Sequence, residues 1–113
     1  MRRSADFELT IRRGSRAGRP LLTGHLLARP GERAQPPRVG FVVSKAVGNA
    51  VTRNRVRRRL RSVLRAYLPT LPGGSLLVVR AHPQAAAARQ AELAAELDLV
   101  MSTLVRRQVG AVR

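Results

Sequence analysis

Between Ser44 and Arg65 the chain carries eight cations and no acid: Lys45, Arg53, Arg55, Arg57, Arg58, Arg59, Arg61 and Arg65. Arginine offers a planar fork that pairs bidentately with phosphate and stacks on bases, so this run suits a polyanion, RNA above all. No other set of residues has the spacing for covalent or metal chemistry. There is no cysteine, which excludes thiolate metal sites and thiol nucleophiles. The two histidines, His25 and His82, are too few for a multi-histidine centre. One lies inside an apolar stretch and the other before Pro83, so both read as structural or surface groups. Asp6 and Glu8 are two residues apart, on different faces of any helix, and suit the positive end of its dipole. The expectation is therefore no catalytic residue and no protein-held metal.

The 113 residues allow one domain, spanning 1–113. The net charge is +16, which repels itself in a folded body and makes sense when a polyanion neutralises it. An apolar fraction of 44% is ordinary for a globular chain and too high for a disordered basic tail. No apolar run approaches the roughly 18 residues of a membrane span, and no stretch reads as a secretory signal. The expected setting is cytoplasmic, without membrane contact, with a monomeric free protein. Lys45 is the only lysine among 22 cations, and Ala, Gly and Pro are abundant. That ratio follows the codon bias of a GC-rich genome. The bias explains neither the net charge nor the absence of acids between Glu32 and Glu92.

Punctuation residues divide the chain. Ser4 can cap a helix over Ala5–Arg13, stopped by Gly14, with Phe7 and Ile11 sharing a face. Ser15–Pro20 is a polar link that could hold a very short strand. Leu21–Arg29 is a strand candidate, Pro30–Pro37 a loop, and Arg38–Lys45 a β-branched and aromatic strand. Asn49 can cap a long helix, Ala50–Leu68, ended by Pro69. Pro72-Gly73-Gly74 is a turn, and the apolar run in Ser75–Ala81 reads as a central strand. The last helix starts between Gln84 and Arg89 and runs to about Arg107. Its buried stripe is Leu93, Leu97, Met101 and Leu104. The order α, β, β, α, β, α predicts an α+β sandwich, one small sheet with helices packed on it.

At 100° per residue, Val56, Leu60, Val63, Leu64 and Tyr67 share one side of the long helix. Asn54, Arg58, Arg61 and Arg65 take the opposite side, with Arg55 and Ser62 beside them and Arg57 and Arg59 on the flanks. Arg53 falls near the apolar boundary. Like charges this close cost a few tenths of a kcal/mol per pair, and no acid on the helix offsets them. The offset is expected from a ligand. Gly48-Asn49-Ala50 adds free backbone N–H groups and the positive helix end, with Lys45 just before it.

The string from Ser44 to Arg61, SKAVGNAVTRNRVRRRLR, resembles the signature of the bacterial ribonuclease P protein subunit, S-K-K-x-G-N-A-V-x-R-N-R-x-K-R-x-x-R. Its R-N-R core stands here as Arg53-Asn54-Arg55. The resemblance extends to the opening helix with its Asp6-Phe7 pair, to the strand before the signature, and to the strand and helix that end the chain.

The resemblance implies a mixed α-β sandwich of the ribonuclease P protein or ribosomal-protein-like type. It has a left-handed βαβ crossover, three to four strands and three helices. It implies the protein subunit of a ribozyme that removes the 5′ leader of precursor tRNA, with the magnesium ions held by the RNA subunit. The implied partners are ribonuclease P RNA and precursor tRNA. The RNA-contacting role passes to Lys45, Asn49, Arg53, Asn54, Arg55, Arg57, Arg58 and Arg61, and is extended to Arg65. A cleft between the opening helix, the sheet and the central helix would hold the single-stranded leader, with Phe7, Ile11, Arg12 and Val43 lining it. Phe7 suits a core equally well. Ala46 stands where the family usually has lysine, and Ile11 where a second aromatic is common. With only three aromatics in the chain, grip on a leader should lean on phosphate and shape. The alternatives are a structural ribosomal or other basic RNA-binding protein, a DNA-binding protein and an autonomous ribonuclease. The signature opposes the first. The lack of a dimeric helix pair opposes the second, and the lack of an active site opposes the third.

Overall fold

A computed structural model describes residues 4–112, with side chains described through Arg107. The elements are α1 (Ser4–Arg13), β1 (Ser15–Gly18), β2 (Leu22–Leu27), β3 (Arg38–Val42), α2 (Ala50–Leu64), β4 (Leu76–Ala81) and α3 (Gln90–Val112). The strands form one mixed sheet in the order β1-β2-β4-β3. β1 pairs antiparallel with β2, and β2 with β4, while β3 and β4 run parallel. Parallel neighbours need a crossover, and α2 supplies it. The polar stretch after Gly14 does form an edge strand, which makes four strands in all.

β4 is central and apolar on both faces, so both faces must be covered. Leu77, Val79 and Ala81 point into the main core, shared with Val56, Leu60 and Leu64 of α2 and Leu93, Leu97, Val100, Met101 and Leu104 of α3. Leu76 and Val78 alternate to the other face, where they are also fully buried. There α1 packs across β2 and β4. Asp6 near the start of α1 lies 3.7 Å from Arg38, at the beginning of β3. A Cβ on Gly14, at the other end of α1, would meet the Leu26 carbonyl at 2.9 Å. The helix thus crosses one end of the sheet and leaves the other end of that face uncovered.

Two strands end earlier than the sequence expectation, β2 at Leu27 and β3 at Val42, and three boundaries of the two longer helices also differ. The α-helical part of the central helix ends at Leu64, and Arg65–Thr70 continues as a 3-10 turn through Pro69. Proline lacks an N–H and its ring clashes with the carbonyl four residues back, so the last turn tightens instead of extending. The alanine run does not start the last helix. Pro83–Ala87 is a 3-10 turn, and the Ala88 carbonyl accepts from Arg59 Nη1 at 2.8 Å. α3 begins only at Gln90, where Glu92 accepts the Arg89 backbone N–H at 2.9 Å, half of a capping box. Its backbone stays helical to Val112, past the expected end near Arg107.

Gly24 sits on β2 directly beneath α3. A Cβ there would lie 2.6 Å from Val100 Cγ1 and 3.0 Å from Leu104 Cδ1. Gly24→Ala is expected to cost about 1–3 kcal/mol through overpacking. Thermal unfolding should show a midpoint lowered by several degrees. An unchanged midpoint would mean that α3 does not press on β2 at this point.

Candidate nucleic-acid interface

The local sequence builds the start of α2 in three steps. Lys45–Val47 forms a 3-10 turn after β3, with Val47 buried as its anchor and Lys45 exposed. Gly48 follows at φ 154°, a conformation that L side chains rarely adopt. Asn49 then caps the helix, its side-chain oxygen accepting the Thr52 N–H at 2.9 Å. Asn49 itself is exposed, so its amide NH2 remains available beside the positive end of the helix dipole.

Val56, Leu60 and Leu64 fix the rotation of α2, with Val63 and Tyr67 partly buried beside them. The Tyr67 hydroxyl donates to Asp98 Oδ1 at 2.7 Å and ties the end of this segment to α3. Burial and the Asp98 carboxylate push the phenol up to about 12. That rotation leaves Asn54, Arg55, Arg58, Arg61 and Arg65 exposed, with Arg57 half-buried. Val51, Asn54, Arg57, Arg58 and Arg61 line an open groove of about 460 Å³, and Arg55, Arg58, Arg59 and Gln90 a smaller one of about 240 Å³. Asn54 Oδ1 accepts from Arg57 Nη1 at 3.1 Å, which orients one guanidinium of the surface. Arg61 lies 5.9 Å from the centre of the Phe41 ring, a cation–π contact that steadies another. Among the described residues the carboxylate–arginine pairs are Arg19–Glu96, Arg38–Asp6 and Arg89–Glu92, and none involves α2. The charge of this helix is therefore uncompensated within the described chain.

Two arginines of α2 depart from a simple outward display. Arg59, on one flank, is half-buried and spends a donor on the Ala88 carbonyl. Arg53, in the Arg53-Asn54-Arg55 core, is also half-buried, and its Nε is buried with no hydrogen-bond partner. A buried donor left unpaired costs about 1–3 kcal/mol.

α1 and α2 cover opposite faces of the sheet. Arg38, which approaches Asp6 of α1, alternates with Val39 and Phe41, which pack toward the core under α2. A cleft between α1, the sheet and α2 would therefore have to run from α1, at the end where β3 begins, along the open part of that face to the end where β3 leads into Lys45–Val47. Of the residues assigned to that cleft, Ile11 and Arg12 are exposed and Phe7 is half-buried on α1. Val43 is not in it. It is 5% exposed and part of the core. Val42, by strand parity, lies on the α1 face and is half-buried.

Sequence reasoning also missed the rest of that face. The register places Val42, Arg80, Thr23 and Gly18 in one row across the four strands. Arg16 stands opposite His25 in the next row. Arg80 and Arg16 are exposed, whereas Thr23 is buried, with its Oγ1 2.7 Å from His82 Nε2. Thr23 and His25 are the polar members that alternate along β2, and Arg80 is the one polar residue of β4. That alternation was the available signal, but it does not say which face a helix will cover.

His25 is 6% exposed, and its Nδ1 is buried without a partner. Burial, with Arg16 and Arg80 nearby, holds its pKa below 6.5. The unfolded chain therefore takes up a proton before the folded one does as pH falls. Stability from this residue is complete above about pH 6.5 and is lost progressively below it.

Comparisons with known proteins agree on one family. The sequence model described as Ribonuclease P matches residues 1–105. A ribonuclease P protein component of Streptomyces avermitilis is 53% identical over 111 residues, covering 93% of this chain and 90% of the relative. One of Thermobifida fusca is 54% identical over 112 residues, covering 94% of this chain and 76% of the relative. In fold, the chain is similar to the RNase P protein of Staphylococcus aureus, with a TM-score of 0.80 at 21% identity over 91% of this chain and 92% of that one. It is also similar to the protein of Thermotoga maritima, with a TM-score of 0.74 at 21% identity over 94% of each.

Acidification from about pH 7.5 to about pH 5.5 should lower the unfolding free energy of the protein, and His25→Gln should flatten that slope. Denaturant melts of both proteins across the range decide it. Equal slopes would remove His25 as the source.

Proposed function

Because this chain belongs to the ribonuclease P protein family, we propose that it docks on ribonuclease P RNA through the outer face of α2. We further propose that it holds the 5′ leader of precursor tRNA on the open part of the sheet face beside α1. It is the protein subunit of an endoribonuclease, and the family implies association with the ribonuclease P RNA. The observation that carries the docking surface is the uncompensated arginine face from Asn54 to Arg65, grooved between Val51 and Arg61.

Leaders differ in sequence from one tRNA to another, so their holder should read backbone and shape rather than base edges. Exposed Arg80 and Arg16, with apolar Ile11 and Val42, suit that task. The physical role is neutralisation. Ribozyme and substrate are both polyanions, and a protein of charge +16 between them lowers their repulsion and tightens both substrate and metal binding.

Bond cleavage in this reading belongs to the RNA. Among the described residues no three His, Asp or Glu side chains gather as metal ligands. Asp6, Glu92, Glu96 and Asp98 are each engaged by an arginine or by Tyr67. Magnesium enters this reading as the RNA's cofactor. No described helix is long and apolar enough to cross a membrane. We place the protein in the cytoplasm with its RNA.

The experiment combines protein, a bacterial ribonuclease P RNA and precursor tRNA at low magnesium. Faster 5′ cleavage than with RNA alone is expected, and no cleavage by the protein alone. No rate gain would reject the reading. Arg53→Ala and Arg55→Ala should each weaken ribozyme binding and reduce the salt slope by roughly 0.7–0.9 per lost phosphate contact. A slope unmoved by both would take these residues out of the interface.

A further inference from the structure

The edge of the sheet farthest from β3 carries a second cationic groove, between β1 and α3. It has a volume of about 320 Å³, and its lining includes Arg16, Gly18, Arg19, Ser102, Arg106 and Arg107. No acid lines it. Only Arg19 is matched, by Glu96 at 2.6 Å. Arg107 donates through Nη1 to the Arg16 carbonyl, which fixes its guanidinium over the strand edge with other donors to spare. Arg16 and Arg106 have no carboxylate partner among the described residues. Four guanidiniums against one carboxylate is a surplus that the fold does not use.

This groove joins the sheet face described above. The row Val42, Arg80, Thr23, Gly18 crosses the sheet from the strand that leads into α2 to the opposite edge. That is a span of about 14 Å at the usual strand spacing. Gly18 ends the row and also lines the groove. A Cβ on it would stand 3.5 Å from Thr23 Oγ1, so it belongs to the same face, and its missing side chain leaves the way round the edge open. Arg16 sits at the same corner, opposite His25 on the sheet face and in the lining of the groove.

We propose that an RNA strand lying on the sheet face passes over Gly18 and continues, backbone first, along the β1–α3 groove, held there by Arg16, Arg19, Arg106 and Arg107. Ser102 adds an exposed hydroxyl for a phosphate oxygen. The inference rests on the reading that the sheet face holds the leader, and it assigns the groove to leader nucleotides farther from the cleavage site. A strand too short to reach the edge gains nothing from the groove. A longer one gains phosphate contacts that are indifferent to sequence.

The test uses the full chain with single-stranded oligoribonucleotides of roughly four and roughly sixteen nucleotides, bracketing the site sizes of small single-strand binders. The longer oligomer should bind more tightly and with a steeper salt dependence. A double variant, Arg106→Gln with Arg107→Gln, should bring its log–log slope down by about 1.4, or about 0.7 per lost contact, and leave the shorter oligomer unaffected. Arg106→Gln alone should give about half that change and guards against any effect of freeing the Arg16 carbonyl. Equal binding of the two oligomers by the unaltered protein would overturn the proposal. So would a long-oligomer advantage that survives both variants while their melting temperatures are unchanged. In the complex with ribonuclease P RNA, the double variant should stimulate cleavage of short-leader precursor tRNA normally and lose the added stimulation with long leaders. If the unaltered protein fails to stimulate cleavage even with short leaders, the leader reading itself falls. The oligomer comparison still decides whether the groove binds RNA.

Discussion

The structure depends on holding one strongly cationic helix in a fixed rotation against its own repulsion. α2 has six arginines, with Arg65 at its C-cap, and no acid, so as an isolated segment it would resist becoming a helix. Val56, Leu60 and Leu64 hold it, each nearly or fully buried. Burying a side chain of this kind contributes about 1.5–3 kcal/mol, against a few tenths for each like-charge pair. Three anchors therefore prevail over the repulsion, and the same three settle which arginines face water. Packing of β4 between two covered faces makes that anchorage possible, since Leu77 and Val79 are the floor on which α2 rests.

The repulsion that survives folding is what a polyanion relieves. Binding to the folded chain removes it, so affinity and stability are linked through the same charges. This accounts for the economy of intramolecular partners on α2. An acid placed to quiet Arg58 or Arg61 would stabilise the free protein and compete with phosphate for the same donors. Where guanidiniums are steadied, the partner is an amide oxygen, a backbone carbonyl or an aromatic face: Asn54 for Arg57, Ala88 for Arg59, Phe41 for Arg61. Such contacts orient a cation without cancelling its charge.

The opposite face of the sheet follows a different logic. α1 crosses one end of it and buries Leu76 and Val78, while the other end keeps Arg80, Val42 and Gly18 accessible to varying degrees. His25 marks the transition, almost enclosed yet beside two arginines, and the fold favours its neutral form. The exposed arginines thus lie on two sides of the domain, on the outer surface of α2 and on the open end of the opposite sheet face.

Much of this was legible in the residues. The helical stripe of α2, the outward set Asn54, Arg58, Arg61 and Arg65, the Asn49 cap and the central position of β4 all follow from periodicity and local chemistry, which depend on neighbours a few residues away. So did the stripe Leu93, Leu97, Met101 and Leu104. Tertiary structure alone decided what depends on distant partners. It put Val43 into the core and Val42 on the α1 face, because strand parity fixes alternation but not which side a helix covers. It kept the alanine run out of the last helix and set the Ala88 carbonyl against Arg59, twenty-nine residues earlier. It left the Arg53 Nε buried and unpaired, and it gathered Arg16, Arg19, Arg106 and Arg107 from the two ends of the chain into one groove. Local pattern encodes which side of each element is apolar. Only the packing of one element on another says what lies above that side.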